Sequence, residues 1–295
     1  SMEGGRIIST EPFYAYIKIA EGCSNNCTYC AIPSIRGKYR SRRMEDIVKE
    51  ARWLAENGVT ELVVVAQDTT RYGEDIYGKS MLPELLTALC EIDGFKWIRT
   101  LYCYPERITD ELLDVIAKED KLVKYLDMPI QHCNRNILKR MNRHGDRETL
   151  TALIKKIREK IPNVTLRTTL ITGFPGETEE QFEELCEFVK EIRFERLGCF
   201  AYSPEEGTPA EKFEDQVPLK DRERRAEIIM EEQMIISDSF NEAALDSEVE
   251  VVCEGFDRYA ECYYGRSQAD APEIDGKIFF LSEDKVRVGE YVKVK

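Results

Sequence analysis

The chain has 295 residues, enough for one large domain of roughly 200 to 250 residues and a small one, each with its own core. With 42 basic against 56 acidic side chains it carries a net charge of −14, which excludes a surface that is basic throughout and suited to nucleic-acid phosphates. It reads without a secretory leader or an apolar run long enough to span a membrane, so the expected compartment is the reducing cytoplasm, with no membrane partner.

Residues 1–5 read as a cut end, so the chain is expected to be a fragment of something longer. The run 13–20 reads as a first strand, and it leads into Cys23, Cys27 and Cys30 at the spacing C-x3-C-x2-C. Arg36, Lys38, Arg40, Arg42 and Arg43 follow, five bases without an acid, beside whatever those cysteines do. Ile47, Val48, Ala51, Leu54 and Ala55 share one helical face, and Asn57 with Gly58 stops that helix. A buried strand at 62–66, a helix at 82–92 and a strand at 97–102 come next. Thr109 caps a further helix, 123–128 is a fourth strand, and Leu150, Leu153, Ile154 and Ile157 mark the helix before a fifth strand at 164–171. Thr178 and Gln181 make a capping box for the helix carrying Phe182, Leu185, Cys186 and Val189, and 197–202 is the sixth strand.

Six strand-helix units predict an α/β fold, a partial (β/α)6 barrel with too few units to close as an eightfold one. After Pro218 the character changes to a charged helix at 219–245. Short β runs at 249–253, 259–263, 277–281 and 291–294 follow, the pattern of a small all-β barrel. The expected division is 6–217 for the core, 218–247 for a linking helix and 248–295 for the terminal barrel.

The three clustered cysteines supply three thiolates and no local fourth. Structural zinc closes its tetrahedron with four protein ligands, and electron-transfer clusters take four cysteines. Three thiolates on a cubane of four irons leave one iron open to bind a substrate or cofactor. Two plainer readings compete: a zinc site recruiting Cys133 or His132, and a disulfide with a spare thiol. Cys90, Cys186 and Cys199 sit singly in apolar segments, as reduced core cysteines do. The cysteine loop, 67–70, 102–105, 129–131 and 172–177 all follow strands, so five loops converge on the rim where barrel enzymes place their sites.

The triplet on a loop after the first strand resembles the radical S-adenosylmethionine (SAM) superfamily. The resemblance implies that Cys23, Cys27 and Cys30 hold a 4Fe-4S cluster, whose open iron chelates SAM so that one electron cleaves it to methionine and a 5′-deoxyadenosyl radical. It further implies that Tyr29, before the last cysteine, packs near the adenine. The run of Gly173, Pro175, Gly176 and Glu177 looks like the family's glycine-bearing SAM motif, a tight turn that lets backbone approach a ligand; Gln67 at the rim joins these as an expected cofactor contact.

Within that superfamily the chain is similar to the methylthiotransferases over essentially its whole length, through 31–37, Pro129 to Gln131, and a terminal module resembling a TRAM domain. Two branches are open, one modifying adenosine in tRNA and one modifying the β-carbon of an aspartate in small-subunit ribosomal protein twelve. The runs 67–73 and 101–105 look like the protein-modifying branch. The family also carries an N-terminal domain whose three further cysteines hold a second 4Fe-4S cluster, and only a short tail precedes Arg6, so this chain is expected to lack full activity.

Abstracting hydrogen from an unactivated carbon lies beyond side-chain bases, and the two histidines, His132 and His144, offer little acid–base equipment. The implied partners are an electron donor and a basic ribosomal protein. From 248 to 295 there are eleven acids against seven bases, a balance expected to attract the latter. A third reading, from another class, is a non-catalytic adaptor in which a metal staples the loop.

Overall fold

The computed structural model describes residues 7–295; Arg6, the expected start of the first unit, and the 1–5 tail lie outside the described residues. Twelve strands are described: β1 (Tyr14–Lys18), β2 (Ala20–Glu21), β3 (Arg40–Ser41), β4 (Glu61–Val65), β5 (Trp97–Thr100), β6 (Tyr125–Asp127), β7 (Thr165–Thr172), β8 (Arg196–Ala201), β9 (Val249–Asp257), β10 (Cys262–Arg266), β11 (Ile278–Phe280) and β12 (Tyr291–Val294). The helices are α1 (Ile32–Arg36), α2 (Met44–Glu56), α3 (Glu74–Tyr77), α4 (Leu82–Cys90), α5 (Asp110–Lys118), α6 (Arg135–Arg140), α7 (Arg147–Lys160), α8 (Glu179–Ile192) and α9 (Leu219–Ala244).

Six strands run parallel in the order β1-β4-β5 and β6-β7-β8, the wall of an open, partial barrel. Each is two-sided. Ala15, Ile17, Leu62, Val64, Ile98, Leu126, Leu166 and Leu170 face outward to the helices, in one continuous apolar cluster with Leu54, Leu86, Ile157 and Phe188. Tyr14, Val63, Trp97 and Tyr125 face inward in a second cluster. This double burial explains the near-continuous apolar strands of the sequence.

The ladder thins between β5 and β6, where only Ile98 and Leu122 form a parallel bridge. Side chains close the seam instead: the Asp127 carboxylate accepts from Tyr102 N at 3.0 Å, and its carbonyl accepts from Cys103 N at 2.9 Å. Helix starts follow their caps. Thr109 accepts from Leu112 N, and Thr178 with Gln181 forms the expected reciprocal box. Asp146 and Thr149 form a second box at α7.

Helix α9 is more than a linker. It packs along β8 and α8, burying Ile229 and Ile236 and covering the barrel's last strand. The last four strands form an antiparallel sheet ordered β11-β10-β9-β12, curled around Val251, Cys253 and Phe280. Its second strand is displaced from the expected 259–263, because the Asp257 carboxylate accepts from the backbone N of Tyr259 and Ala260 and makes those residues the hairpin turn.

This small domain closes the amino-terminal mouth of the barrel. Arg266 enters it and pairs with Glu61 at 2.6 Å, both at most 1% exposed, while Arg99 holds the same carboxylate at 3.2 Å and donates to the Gln268 carbonyl at 2.7 Å. Arg196 pairs with Asp270 at 2.8 Å, and the Tyr125 hydroxyl donates to Asp275 at 2.6 Å. Lys96 reaches Glu250 at 2.6 Å.

The expected acidic face is thereby reduced. Glu250, Glu254, Asp270 and Asp275 are engaged with Lys96, Arg266, Arg196 and Arg167. With these four of the eleven acids and Arg266 of the seven bases turned to the join, seven acids and six bases remain.

Removing one member of a buried ion group leaves the other charges uncompensated, a loss of about 3–5 kcal/mol. Glu61→Gln is therefore expected to lower the unfolding free energy by that amount, read in urea denaturation beside the parent. An unchanged midpoint would show that Trp97 and Val252 hold the join by packing alone.

Candidate active site

The cysteine loop leaves the barrel through a narrow neck, where β2 and β3 pair antiparallel as Ala20 with Ser41 and Glu21 with Arg40. Gly22 sits in that neck with φ +78°, and a Cβ there would lie 2.3 Å from the Lys38 carbonyl oxygen, so only glycine fits. Cys23 N donates to the Gly37 carbonyl at 3.0 Å and Cys30 N to the Cys27 carbonyl at 3.1 Å.

Neighbouring elements hold the loop from three sides. Asn25 donates to the buried Asp68 carboxylate at 2.8 Å, and the Tyr39 hydroxyl donates to the Asp68 carbonyl at 2.8 Å. From the end of α6, the Met141 carbonyl accepts from Thr28 N, and the Asn142 amide donates to the Asn26 carbonyl at 3.0 Å. Ala210 N donates to the Thr28 carbonyl at 2.9 Å. Of the basic run, Arg36, Lys38, Arg40 and Arg43 are exposed, while Arg42 pairs with Glu50 at 2.6 Å.

Cys23, Cys27 and Cys30 open onto one cavity of 230 Å³, lined also by Tyr29 and Gln67. Its far wall is Tyr102, Tyr104, Pro129 and Gln131, from the loops after β5 and β6, and Thr169 from within β7. Burial pushes the Cys23 and Cys30 thiols upward, and the same desolvation pushes up the Asp68 carboxyl against the pull of Thr70 and Asn25. Three lining residues other than glycine hold positive φ: Asn26 at 52°, Tyr102 at 60° and Gln131 at 68°. The Gln131 side-chain oxygen is buried and without a hydrogen-bond partner.

The structure does not bring Gly173, Pro175, Gly176 and Glu177 to the cavity lining. They turn under the start of α9, where a Cβ on Gly173 would lie 2.2 Å from Arg222 Cγ and one on Gly176 would lie 2.5 Å from an Asp215 oxygen. The Glu177 carboxylate is fully engaged, with Arg225 at 2.7 Å, His132 at 3.0 Å and Gly173 N at 2.8 Å. None of the four lines this cavity: buried ion pairing fixes the turn, and Thr169 of the same strand reaches the cavity.

Residues 17–189, more than half of the chain, match the Radical SAM superfamily. The chain belongs to the radical SAM superfamily. Residues 247–295 match the TRAM domain. Among curated relatives, the "Ribosomal protein uS12 methylthiotransferase RimO" of Clostridium tetani is 52% identical over 99% of this chain and 66% of its own length. That of Clostridioides difficile is 53% identical over 98% of this chain and 65% of its own. The chain thus spans just under two thirds of the relatives it matches. Solved structures share the fold: the radical S-adenosylmethionine methyltransferase TsrM from Kitasatospora setae, at TM-score 0.52 and 18% identity, covers 68% of this chain and 38% of its own. Coproporphyrinogen III oxidase (HemN) from Escherichia coli gives TM-score 0.52 at 20% identity, covering 78% and 54%.

Superfamily membership implies a 4Fe-4S cluster and SAM, and the donors fit. Three thiolates, the ligand type that selects iron–sulfur chemistry, line one cavity together. Among the described residues no three His, Cys, Asp or Glu side chains close on a point as a single ion requires. Sequence reasoning did not single out Arg143. It stands alone in a polar stretch between α6 and α7, where an arginine reads as solvated, yet its side chain is 2% exposed and reaches the Tyr29 hydroxyl.

Glu177→Ala would leave the buried Arg225 with Glu179 alone and His132 without its carboxylate, with an expected loss of up to about 3 kcal/mol and no change in SAM binding once the protein is folded. Chemical denaturation and SAM titration of the cluster-loaded protein check the two halves separately. Loss of SAM affinity at full stability would restore Glu177 as a ligand contact.

Proposed function

We propose that the chain is the radical SAM and TRAM portion of a methylthiotransferase that modifies the β-carbon of an aspartate in ribosomal protein uS12. The observation that carries this reading is identity of 52–53% with ribosomal protein uS12 methylthiotransferases across 98–99% of the chain. In the proposed division, 6–217 carries the chemistry, 218–247 links and braces it, and 248–295 plugs the barrel base. Ten free cysteines support a reducing, cytoplasmic setting, and no helix among the described residues is long and apolar enough to cross a membrane.

Cys23, Cys27 and Cys30 are assigned to the cluster, leaving one iron for SAM. When bound, that pair supplies a radical able to take hydrogen from an unactivated carbon, with the electron coming from an external donor. The chain's own part is to bind, orient and exclude water. Tyr29 and Gln67 line the cofactor side of the cavity, and Tyr102, Gln131 and Thr169 face them from the far wall. The turn at 173–177 acts at one remove, by fixing the strand that carries Thr169.

A second cluster, as sulfur source, is assigned to the part of the relatives' length that this chain does not span. The other seven cysteines are dispersed along the chain, Cys103, Cys133 and Cys253 buried singly, and offer no second triplet.

The test is anaerobic reconstitution with iron and sulfide, then SAM and dithionite, with a uS12 peptide and a tRNA offered in parallel. The expected result is SAM cleavage to 5′-deoxyadenosine, abolished by Cys27→Ala, without methylthiolation of either substrate by this chain. With the rest of the protein supplied, the peptide is expected to gain the methylthio group. Modification of tRNA alone would move the assignment to the nucleic-acid branch. A loaded protein that neither perturbs nor cleaves SAM would leave an adaptor.

A further inference from the structure

The wall of the cavity behind Cys27 is built from aromatic side chains and one buried cation. The Tyr104 hydroxyl lies 2.9 Å from Cys27 Sγ. Tyr104 is held at both ends: its backbone N donates to the Thr70 hydroxyl at 3.2 Å, and the Arg143 guanidinium lies 4.1 Å above its ring. Arg143 donates to the Pro129 carbonyl at 3.0 Å and to the Tyr29 hydroxyl at 3.4 Å. Its Nε is buried without a hydrogen-bond partner, 3.6 Å from a Glu106 carboxylate oxygen. The guanidinium therefore keeps its charge inside the wall behind the cysteine sulfur.

Either atom of the Cys27 and Tyr104 pair can donate while the cysteine is a free thiol. A cysteine that ligates iron does so as thiolate and has no proton to give, so the phenol becomes the donor. A phenol is protonated at neutral pH, so Tyr104 has the proton that the thiolate lacks. Hydrogen bonds to cluster sulfurs and nearby charge are two of the levers that set iron–sulfur potentials. Both favour the state carrying the additional electron.

Resting on the cluster assignment above, we propose that Tyr104, braced by Arg143, is a positioning residue that raises the cluster's reduction potential by hydrogen-bonding Cys27 Sγ. The couple is the one-electron reduction of the 4Fe-4S core from its 2+ to its 1+ state. The electron comes from an external low-potential reductant, and Tyr104 keeps its proton throughout.

The experiment is a redox titration of the reconstituted chain with dithionite, followed by EPR of the reduced cluster, with iron and sulfide content measured on each sample. Tyr104→Phe removes one oxygen and keeps the ring. Its midpoint is expected to fall by about 59 mV, a tenfold shift of the one-electron equilibrium towards the oxidised cluster. Arg143→Gln removes the charge without touching a cysteine and is expected to shift the midpoint the same way. A fully loaded Tyr104→Phe protein with the parent's midpoint overturns the proposal while leaving the cluster assignment standing. Should that variant load poorly, Arg143→Gln decides, and an unshifted midpoint there overturns it too. A parent chain that loads no four-iron cluster overturns the assignment and this proposal together.

Discussion

The site depends on keeping still a loop that cannot stabilise itself. A segment offering three thiolates to one cavity gives up the apolar side chains that would otherwise anchor it, so it is anchored through its backbone. Its amide and carbonyl groups are taken up by Ser41 and Arg40 at the neck, by Met141 and Asn142 from the α6 end, and by Ala210 from the segment before α9. The Asp68 carboxylate adds a buried polar hold on Asn25. Buried backbone groups must find partners. Here they find them on elements distant in sequence, and the loop's position becomes a property of the whole barrel.

The same logic explains which parts of this arrangement were legible in the sequence. Local signals carried the strands, the helix starts at Thr109 and Thr178, and the cysteine spacing, because each is decided within a few residues. The partners of Cys27 were not legible. Tyr104 lies in a rim loop that strand counting does locate, but nothing local says that its hydroxyl meets a cysteine 77 positions earlier. Arg143 is harder still, since its burial depends on Pro129, Tyr29 and Tyr104 arriving from three other segments. Glu177 is a different case: a motif resemblance pointed to a ligand, and what the fold adds is its pairing with Arg225 and His132, which no local signal announces. Charge counting on the terminal domain has a related limit, because composition does not distinguish acids in solvent from acids set against Arg266 and Arg196.

Closing the base of the barrel with charge rather than apolar packing alone has a consequence for the top. Glu61 between Arg99 and Arg266 fixes the amino-terminal ends of β4 and β5 against the small domain. Those two strands also carry, at their other ends, Gln67 and the Tyr102 to Tyr104 wall of the cavity. Buried ion groups of this kind gain little net stability over apolar substitutes, but they penalise any misplacement of one member heavily. Relative orientation is what the cavity requires. The small domain can therefore contribute to the site from the opposite end of the barrel without touching it.

Backbone strain at the cavity fits the same view. Positive φ costs a non-glycine residue on the order of 1–3 kcal/mol and persists only where the surroundings over-determine it. Gln131 is pinned by donating to the Thr169 carbonyl and accepting from Ile171 N, and Tyr102 by donating to Asp127 and accepting from Thr69 N. Asn26 is held by Asn142. Each of the three is held by a neighbouring segment, and each lines the cavity. The unpartnered oxygen of Gln131 is the sharpest case, because a buried acceptor without a donor is costly in the protein alone. Such an acceptor, held by strain beside three thiolates, suits a pocket built for a polar ligand.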